Sequence, residues 1–478
     1  MQNNSFIKKY LVLIMLLTVL FSSLHAQQYL DQNTDNKYNM PLADAIGAVE
    51  NRYHVRIKYD TAQVKGKYVN YAMWHFRNNA DSALSAILQP ADLQFKKVKD
   101  TVYKLQEYEY YRWAVQDGWN ELDRIAAQYH NKAEWETRKD SLRKELYAAL
   151  QLSPLPPAPG TKPVVTPERI YDGYSVQNIA IEILPGLYIN GSLYKPLHIR
   201  GKIPVMLSPD GHWDHQRYRP DCQLRCATLA RLGCMAFSYD LFAWGESLLQ
   251  FKPEDHRRSI SQTVQTLGAI RILDYLCSLK ETDTSRIGIS GGSGGGSHTV
   301  LMAALDKRIK LSAPVVSVSS YFYGGCPCES GMPVHFCAGG TDNVELAAMA
   351  APNPQLLVTD GQDWTAHMPE HDFPYLQKMY SYYGAADNVH NVHLPEEGHD
   401  YGPSKRNALY YFVARYFHLD IDKIEKDGKI DESEVTIEEE PKMYVFGDHG
   451  QYLPKDAIHG YDNLVNVFNK AIGKNYFH

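Results

Sequence analysis

The stretch "RIGISGGSGGGSHT", residues 286–299, carries the pattern G-x-S-x-G twice, once around Ser290 and once around Ser293. In that pattern a serine sits on a sharp strand-to-helix turn that exposes its hydroxyl. The glycines supply the positive φ and the close packing that such a turn needs. Only one serine can occupy the tip of one turn. "RIGIS" reads as the strand and "HTVLMAALDKRI" as the following helix. Ser290 then ends the strand and Ser293 lies between two glycine pairs, so Ser293 is the expected nucleophile and Ser290 the alternative. A phosphate-binding glycine loop fits poorly, because the Lys-Ser/Thr pair of a P-loop is missing.

A serine hydroxyl is a weak nucleophile until a base takes its proton, and an acid must hold that base. For a serine on a strand-to-helix turn the chain order is Ser, then Asp or Glu, then His. His399 in "EEGHDYG" follows the strand-like "NVHLP" and is the expected base. Asp360 and Asp363 both end or follow the strand-like "QLLVTD"; Asp363, in the loop proper, is the expected acid, with Asp360 left open. The oxyanion needs preset N–H donors. Gly294, directly after the nucleophile, is one, and His212 in "PDGHWDH", after the strand "IPVMLS", is the other. Trp213, Trp244 and Trp364 lie in loops near these residues and are candidates to stack on substrate. His212, Asp214 and His215 are metal-binding residue types, but they read as site lining or polar loop. No metal or other cofactor is implied, since a serine, histidine and acid mechanism needs only water as second substrate.

The elements that must position these residues alternate. "IPVMLS", "CMAFSYD", "RIGIS", "LSAPVVSVS", "QLLVTD" and "NVHLP" read as strands, with helices such as "QTVQTLGAIRILDYLCSL" between them. That alternation predicts an α/β domain, a doubly wound, mostly parallel sheet, over residues 165–420. The hairpin-like "VQNIAIEIL" and "LYINGSLYKP" open it. Residues 108–164 read as a helical segment followed by the proline-rich "PLPPAPGTKP". Residues 421–478 read as an extension packed on the α/β domain. Upstream, Leu42, Ala45, Ile46 and Val49 follow helical spacing, "VRIKYD" alternates like a strand, Leu84, Ile87 and Leu88 mark a second helix, and "LQFKKV" and "TVYKL" a hairpin. Residues 38–107 are therefore expected to form a small α+β domain.

With 478 residues, 44% of them hydrophobic, the chain can bury a large core, and its net charge of −6 points away from nucleic-acid binding. Residues 1–26 have the layout of a secretory signal peptide: Lys8 and Lys9, an apolar run from Leu11 to Phe21, and a small residue, Ala26, at the expected cleavage point. The run is shorter than the about 20 residues a bilayer-spanning helix needs. The first cysteine is Cys222, which leaves no lipid-anchored cysteine at the leader's end. A periplasmic or secreted protein without a membrane anchor is expected. Seven cysteines leave at least one thiol unpaired. Cys326, Cys328 and Cys337 are near one another, and buried thiols with at most one bridge are expected.

"RIGISGGSGGGSHT", "SPDGHW", "YDLFAWGES", "LLVTDGQDWT" and "PEEGHDYG" together resemble the α/β-hydrolase superfamily, and within it the acetyl-xylan-esterase-like branch of exported bacterial hydrolases. The resemblance runs from about Val115 to the C-terminus. It implies a serine carboxylester hydrolase that works through a Ser-His-Asp triad and an acyl-enzyme, removing acyl, acetyl-type, groups from carbohydrate. It also implies the second glycine frame for the nucleophile. Asp210 departs from the pattern, which commonly has a His-Gly pair at that point. From Tyr38 to Leu105, "PLADAIGAVENRYHVRIKYD", "VKGKYVNYAMWHFRNNADSALSAIL" and "LQFKKVKDTVYKL" resemble the short secretin and TonB N-terminal domain. That resemblance implies a module for contact with an envelope protein partner. Alternatives are a serine peptidase of the prolyl-oligopeptidase kind, for which repeated four-strand blades are missing, and a non-catalytic hydrolase-fold scaffold. "HMPEH", residues 367–371, matches the inverted zinc-protease motif, but Pro369 is expected to break the helix that motif needs.

Overall fold

A computed structural model describes residues 39–70, 76, 79–88, 91, 93–107, 114–258, 260–322, 326 and 334–473. The expected leader and Cys328 lie outside the described residues. The chain divides into two compact units, Met1–Glu109 and Tyr110–His478.

In the first unit, helices Leu42–Tyr53 and Ala80–Leu88 bury the apolar stripes read from the sequence; Leu42, Ala45, Ile46, Val49, Leu84, Ile87 and Leu88 have no exposed surface. They share a core with a three-stranded sheet in the order Arg56–Lys58, Val102–Glu107, Leu93–Lys99. The last two strands form the expected antiparallel hairpin. The strand around Ile57 is shorter than the alternation of Val55, Ile57 and Tyr59 suggests. His54 closes the preceding helix in the left-handed region, and Asp60 caps the next turn by accepting from the Ala62 N–H, so only three residues remain extended.

The second unit opens with two helices, α1 (Val115–Ala126) and α2 (Lys132–Ala149), where the sequence reads as one helical segment. Asn131 makes the break: its side chain accepts from the N–H groups of Ala133 and Glu134, satisfying the first turn of α2. A ten-stranded sheet follows. Its strands are β1 (Val164–Val165), β2 (Arg169–Ile170), β3 (Tyr174–Leu184), β4 (Leu187–Pro196) and β5 (Ile203–Pro209), then β6 (Met235–Tyr239), β7 (Thr282–Gly292), β8 (Leu311–Val315), β9 (Gln355–Asp360) and β10 (Val389–Leu394). The spatial order is β10-β9-β8-β7-β5-β6-β4-β3-β1, with β2 also on β3. From β6 through β10 every pairing is parallel, while β3 and β4 join antiparallel at the other end.

Both faces are covered. One core holds Val205, Leu207, Ile287 and Ile289 with α4 (Ser261–Ser278) and α5 (Gly294–Leu305); the opposite core holds Met206, Ala313 and Val358 with α3 (Pro220–Arg231) and α8 (Pro403–Phe417). Between them, α6 (Asn343–Ala348) and α7 (Phe373–Ser381) lie on the first face. This is why the strands read as nearly continuous apolar runs: residues pointing either way are buried. Because β5 lies between β6 and β7, successive crossovers leave in opposite directions there. The crevice outside the carboxyl ends of β5 and β7 is where such a sheet places a ligand.

The C-terminal stretch is part of this body. Buried Glu246 accepts from the Val445 and Phe446 N–H groups, and buried Arg217 bonds the Met443 carbonyl at 3.0 Å and Asp240 at 2.8 Å. Helix α9 (Tyr461–Ile472) adds Leu464, Val465 and Phe468 to the first core.

Helix α5 also buries a histidine. His298 is 1% exposed, and neither ring nitrogen has a hydrogen-bond partner among the described residues. Burial disfavours the imidazolium and lowers its pKa to about 4. A base whose folded pKa is depressed adds stability above its unfolded pKa, near 6.5, and loses it as pH falls toward the folded value. Lowering pH from 7 to 4 should therefore cost about 3 kcal/mol through this group. Urea midpoints at the two pH values, compared between the native chain and His298→Leu, check this; the variant should show the smaller drop.

Candidate active site

The strand β7 ends at Gly292 and α5 starts at Gly294, so Ser293 is the single residue of the turn between them. Its φ of 53° and ψ of −121° lie in a region a side-chain-bearing residue rarely adopts, which costs of order 1–3 kcal/mol. The neighbouring glycines make the turn possible. A Cβ on Gly291 or Gly295 would lie 2.5 or 2.6 Å from the Pro209 carbonyl oxygen, and one on Gly296 would meet Ser317 Oγ at 2.4 Å. Gly295→Ala should lower the melting temperature by several degrees, because backbone oxygens cannot move aside as a flexible side chain would; scanning calorimetry measures the drop.

Ser290 is elsewhere. It lies inside β7 with no exposed surface, donating to the Ala313 carbonyl at 2.8 Å and bonded to the Tyr401 hydroxyl at 2.8 Å.

Ser293 Oγ is 2.9 Å from His399 Nε2, and His399 Nδ1 is 2.7 Å from Asp363 Oδ2. A carboxylate can only accept, so Nδ1 carries the proton and Nε2 is left to accept from the Ser293 hydroxyl. Asp363 Oδ1 is itself fixed, accepting from the Thr365 N–H and hydroxyl, each at 2.6 Å. Burial alone would raise this carboxyl's pKa; the bonds from His399 and Thr365 outweigh it and hold the pKa below the ordinary range. Asp360, the open alternative, ends β9, is fully buried and faces Lys405 at 3.1 Å. Burial and the nearby charge of Asp363 raise its pKa, against the pull of Lys405.

The loop after β5 packs directly on this turn. A Cβ on Gly211 would lie 2.7 Å from the Gly292 carbonyl oxygen, and one on Gly295 would lie 2.8 Å from the Asp210 carbonyl oxygen. His212 thus follows a residue in contact with the Ser293 turn, while Gly294 opens α5, where helices leave N–H groups without an intrahelical partner. Asp210, the departure from the family pattern, is buried and held by Arg219 through two bonds of 2.7 and 3.0 Å. The Arg219 guanidinium lies 4.7 Å over the Trp213 ring. This brace was not legible in the sequence, because it joins residues through a side-chain plane and not a spacing.

Two of the three candidate tryptophans meet the His399 ring. The Trp364 ring is 4.5 Å and the Trp213 ring 5.6 Å from that of His399. Trp244 packs instead on His212 and His256, at 5.7 and 5.3 Å.

His256, which the sequence did not single out, lies with its Nε2 2.7 Å from that of His212, and Cys326 Sγ is 3.6 Å from both. These three are the group of metal-binding side chains among the described residues. The Cys326 sulfur belongs to a disulfide, so two imidazoles remain, fewer than the three protein ligands of a catalytic zinc. The other candidate zinc motif does not form the helix it needs: Met368–Asp372 is a short π-helical turn that runs into α7, and His367 stands outside it as the capping residue. Pro369 sits in the first turn, where its missing N–H costs nothing. The two histidines also have separate partners, His367 bonding Glu370 and His371 facing Asp123. Cys222, Cys226, Cys234 and Cys277 are free thiols.

An acetyl xylan esterase (AXE1) family model matches residues 261–323, the segment from α4 through Ser293 to the end of β8 and beyond. No curated protein sequence matches the chain. The solved structure of methylesterase BT1017 is 46% identical over 92% of this chain and 98% of its own, with a TM-score of 0.74. The chain belongs to the family of that methylesterase. It is a carboxylic ester hydrolase with the α/β-hydrolase fold. A match over 92% of the chain is longer than the second unit and so reaches into the first. More distant are an acetyl xylan esterase from Paenibacillus sp. R4, 19% identical over 63% of this chain and 99% of its own with a TM-score of 0.40, and a glucuronoyl esterase from Solibacter usitatus, 15% identical over 59% and 93% with a TM-score of 0.42. No helix among the described residues is long and apolar enough to cross a membrane.

Proposed function

We propose that this esterase acts on carbohydrate esters through Ser293 as nucleophile, His399 as general base and then acid, and Asp363 as the group that orients His399. The observation that carries the reading is the unbroken line of contacts from Ser293 Oγ through both nitrogens of one imidazole to a buried carboxylate. As Ser293 attacks the ester carbonyl, Nε2 takes its proton, and the imidazolium is stabilised by Asp363. The oxyanion is received by the N–H groups of Gly294 and His212. Collapse expels the alcohol, which takes the proton back from Nε2. Water then repeats the sequence on the acyl-enzyme and frees the acid.

Two substrate classes fit this chemistry. In a methyl ester of a sugar acid, the sugar is the acyl part and methanol leaves; in an acetylated sugar, acetate is the acyl part and the sugar leaves. The methylesterase likeness spans nearly the whole chain, whereas the acetyl xylan esterase model covers residues 261–323. The methyl ester is therefore the first reading and the acetyl ester the second. The flat rings of Trp213 and Trp364 beside His399 suit the apolar face of a sugar. Export by residues 1–26 to the periplasm or beyond is part of the proposal. So is an N-terminal unit resembling the secretin and TonB short domain that contacts an envelope protein. Incubation with methyl-esterified polyuronate and with acetylated xylan, assaying methanol and acetate, tests the substrate class. Methanol release supports the first reading, acetate alone the second, and neither from either glycan refutes the carbohydrate proposal.

A further inference from the structure

A lysine with no exposed side chain stands beside these residues and has no part in the proton transfers. Lys405 lies in the first turn of α8. Its ammonium donates to the Gly398 carbonyl and, at 2.8 Å, to Asp400 Oδ1. Gly398 and Asp400 are the two chain neighbours of His399. The same ammonium pairs with Asp360 Oδ2 at 3.1 Å and lies 3.7 Å from Glu397. Asp360 in turn is built into the loop of the acid. Its Oδ1 accepts from the Gln362 N–H at 3.1 Å, and its own N–H donates to Thr365 Oγ1 at 3.0 Å. Thr365 is the residue that fixes Asp363 Oδ1.

One buried cation therefore ties the loop of the base, on both sides of His399, to the loop of the acid. A buried ion pair is a poor source of net stability, because desolvation consumes most of its attraction, and apolar residues of like volume often do as well. The partners of Lys405 say what it does instead: two of them flank His399, and a third shares Thr365 with Asp363. We infer that Lys405 and Asp360 form a positioning pair that sets the distance and angle between Asp363, His399 and Ser293. The inference rests on those three residues forming the proposed triad. Small errors in such geometry are expensive, with misplacement of about 1 Å costing about 100-fold in rate.

The test uses the full chain with Lys405→Met, Lys405→Arg and Ser293→Ala, each assayed on a small chromogenic ester and melted. Lys405→Met, which keeps length and removes charge, should melt cooperatively and lose about 100-fold in kcat with KM changed less than about threefold. Lys405→Arg, which keeps the charge and some of the donors, should recover part of that kcat. If Lys405→Met does not fold, Lys405→Arg decides, with about a tenfold loss of kcat expected at a near-native melting temperature. Native kcat in the folded Met variant, or in the Arg variant when the Met variant fails to fold, overturns the inference. So does an equal rise in KM that accounts for the whole loss. Ser293→Ala separates the two levels. If it stays active, the triad reading fails; if it is inactive while the lysine variants keep native kcat, only the positioning role fails.

Discussion

Ser293→Ala should lower kcat for ester hydrolysis by at least about 10⁴-fold while leaving the fold intact, since removal of a serine nucleophile leaves only the oxyanion donors and binding. The substitution keeps the β-carbon, so the strained turn at φ 53° is no worse than before. Its control is Ser290→Ala. That hydroxyl bridges the Ala313 carbonyl and the Tyr401 hydroxyl inside the sheet, and its loss should cost about 1–2 kcal/mol of stability with activity largely kept. Steady-state rates of the two variants, with chemical denaturation of each, give the comparison. The reverse pattern, with Ser290→Ala inactive and Ser293→Ala active, would move the elbow by three residues.

Asp363→Asn should cost about 10⁴-fold in kcat at neutral pH, for a reason particular to this loop. Thr365 donates twice to Asp363 Oδ1. An asparagine there must keep its oxygen toward Thr365, which turns its NH₂ toward His399 Nδ1. Nδ1 must then accept, the ring proton moves to Nε2, and Nε2 can no longer take the proton of Ser293. Because the hydrogen bonds hold the native Asp363 pKa below the ordinary range, the native enzyme keeps this carboxylate charged through the mildly acidic region. Its activity there should not fall through Asp363. Rates measured between pH 5 and 9 check both points. A loss under tenfold in Asp363→Asn would show that His399 is held in its tautomer by something else.

What was legible in the sequence was what has a period or a fixed offset. The strand-turn-helix around Ser293 was readable because glycines at fixed offsets have one steric purpose. His399 and Asp363 were readable because each follows a strand, and the strands announce themselves as apolar runs. The α/β architecture followed from the same alternation, which the ten-stranded sheet bears out. What was not legible depends on side chains that meet across the fold. Lys405 lies six residues after His399 and looks like any charged residue at a helix start, yet it is buried with Asp360, the last residue of β9. His256 meets His212 across 44 residues. The brace from Arg219 to Asp210 and Trp213 is likewise a matter of stacking. The helical segment before the linker is two helices, the second started by the Asn131 cap, a division that apolar spacing does not announce. Pro369 does deny "HMPEH" a continuous α-helix: the turn there is π-helical, starts beside the proline and leaves His367 outside.

Which serine is activated is the point everything else depends on, and covalent labelling addresses it directly. The folded full chain would be treated with a fluorophosphonate probe, digested, and the peptide spanning Ile287 to Lys307 sequenced by fragment mass spectrometry. Ser293 paired with His399 should carry the probe at that residue and nowhere else, and the label should vanish in His399→Ala. A label on Ser290, or no label on a folded and ester-hydrolysing protein, would contradict a Ser293-centred triad.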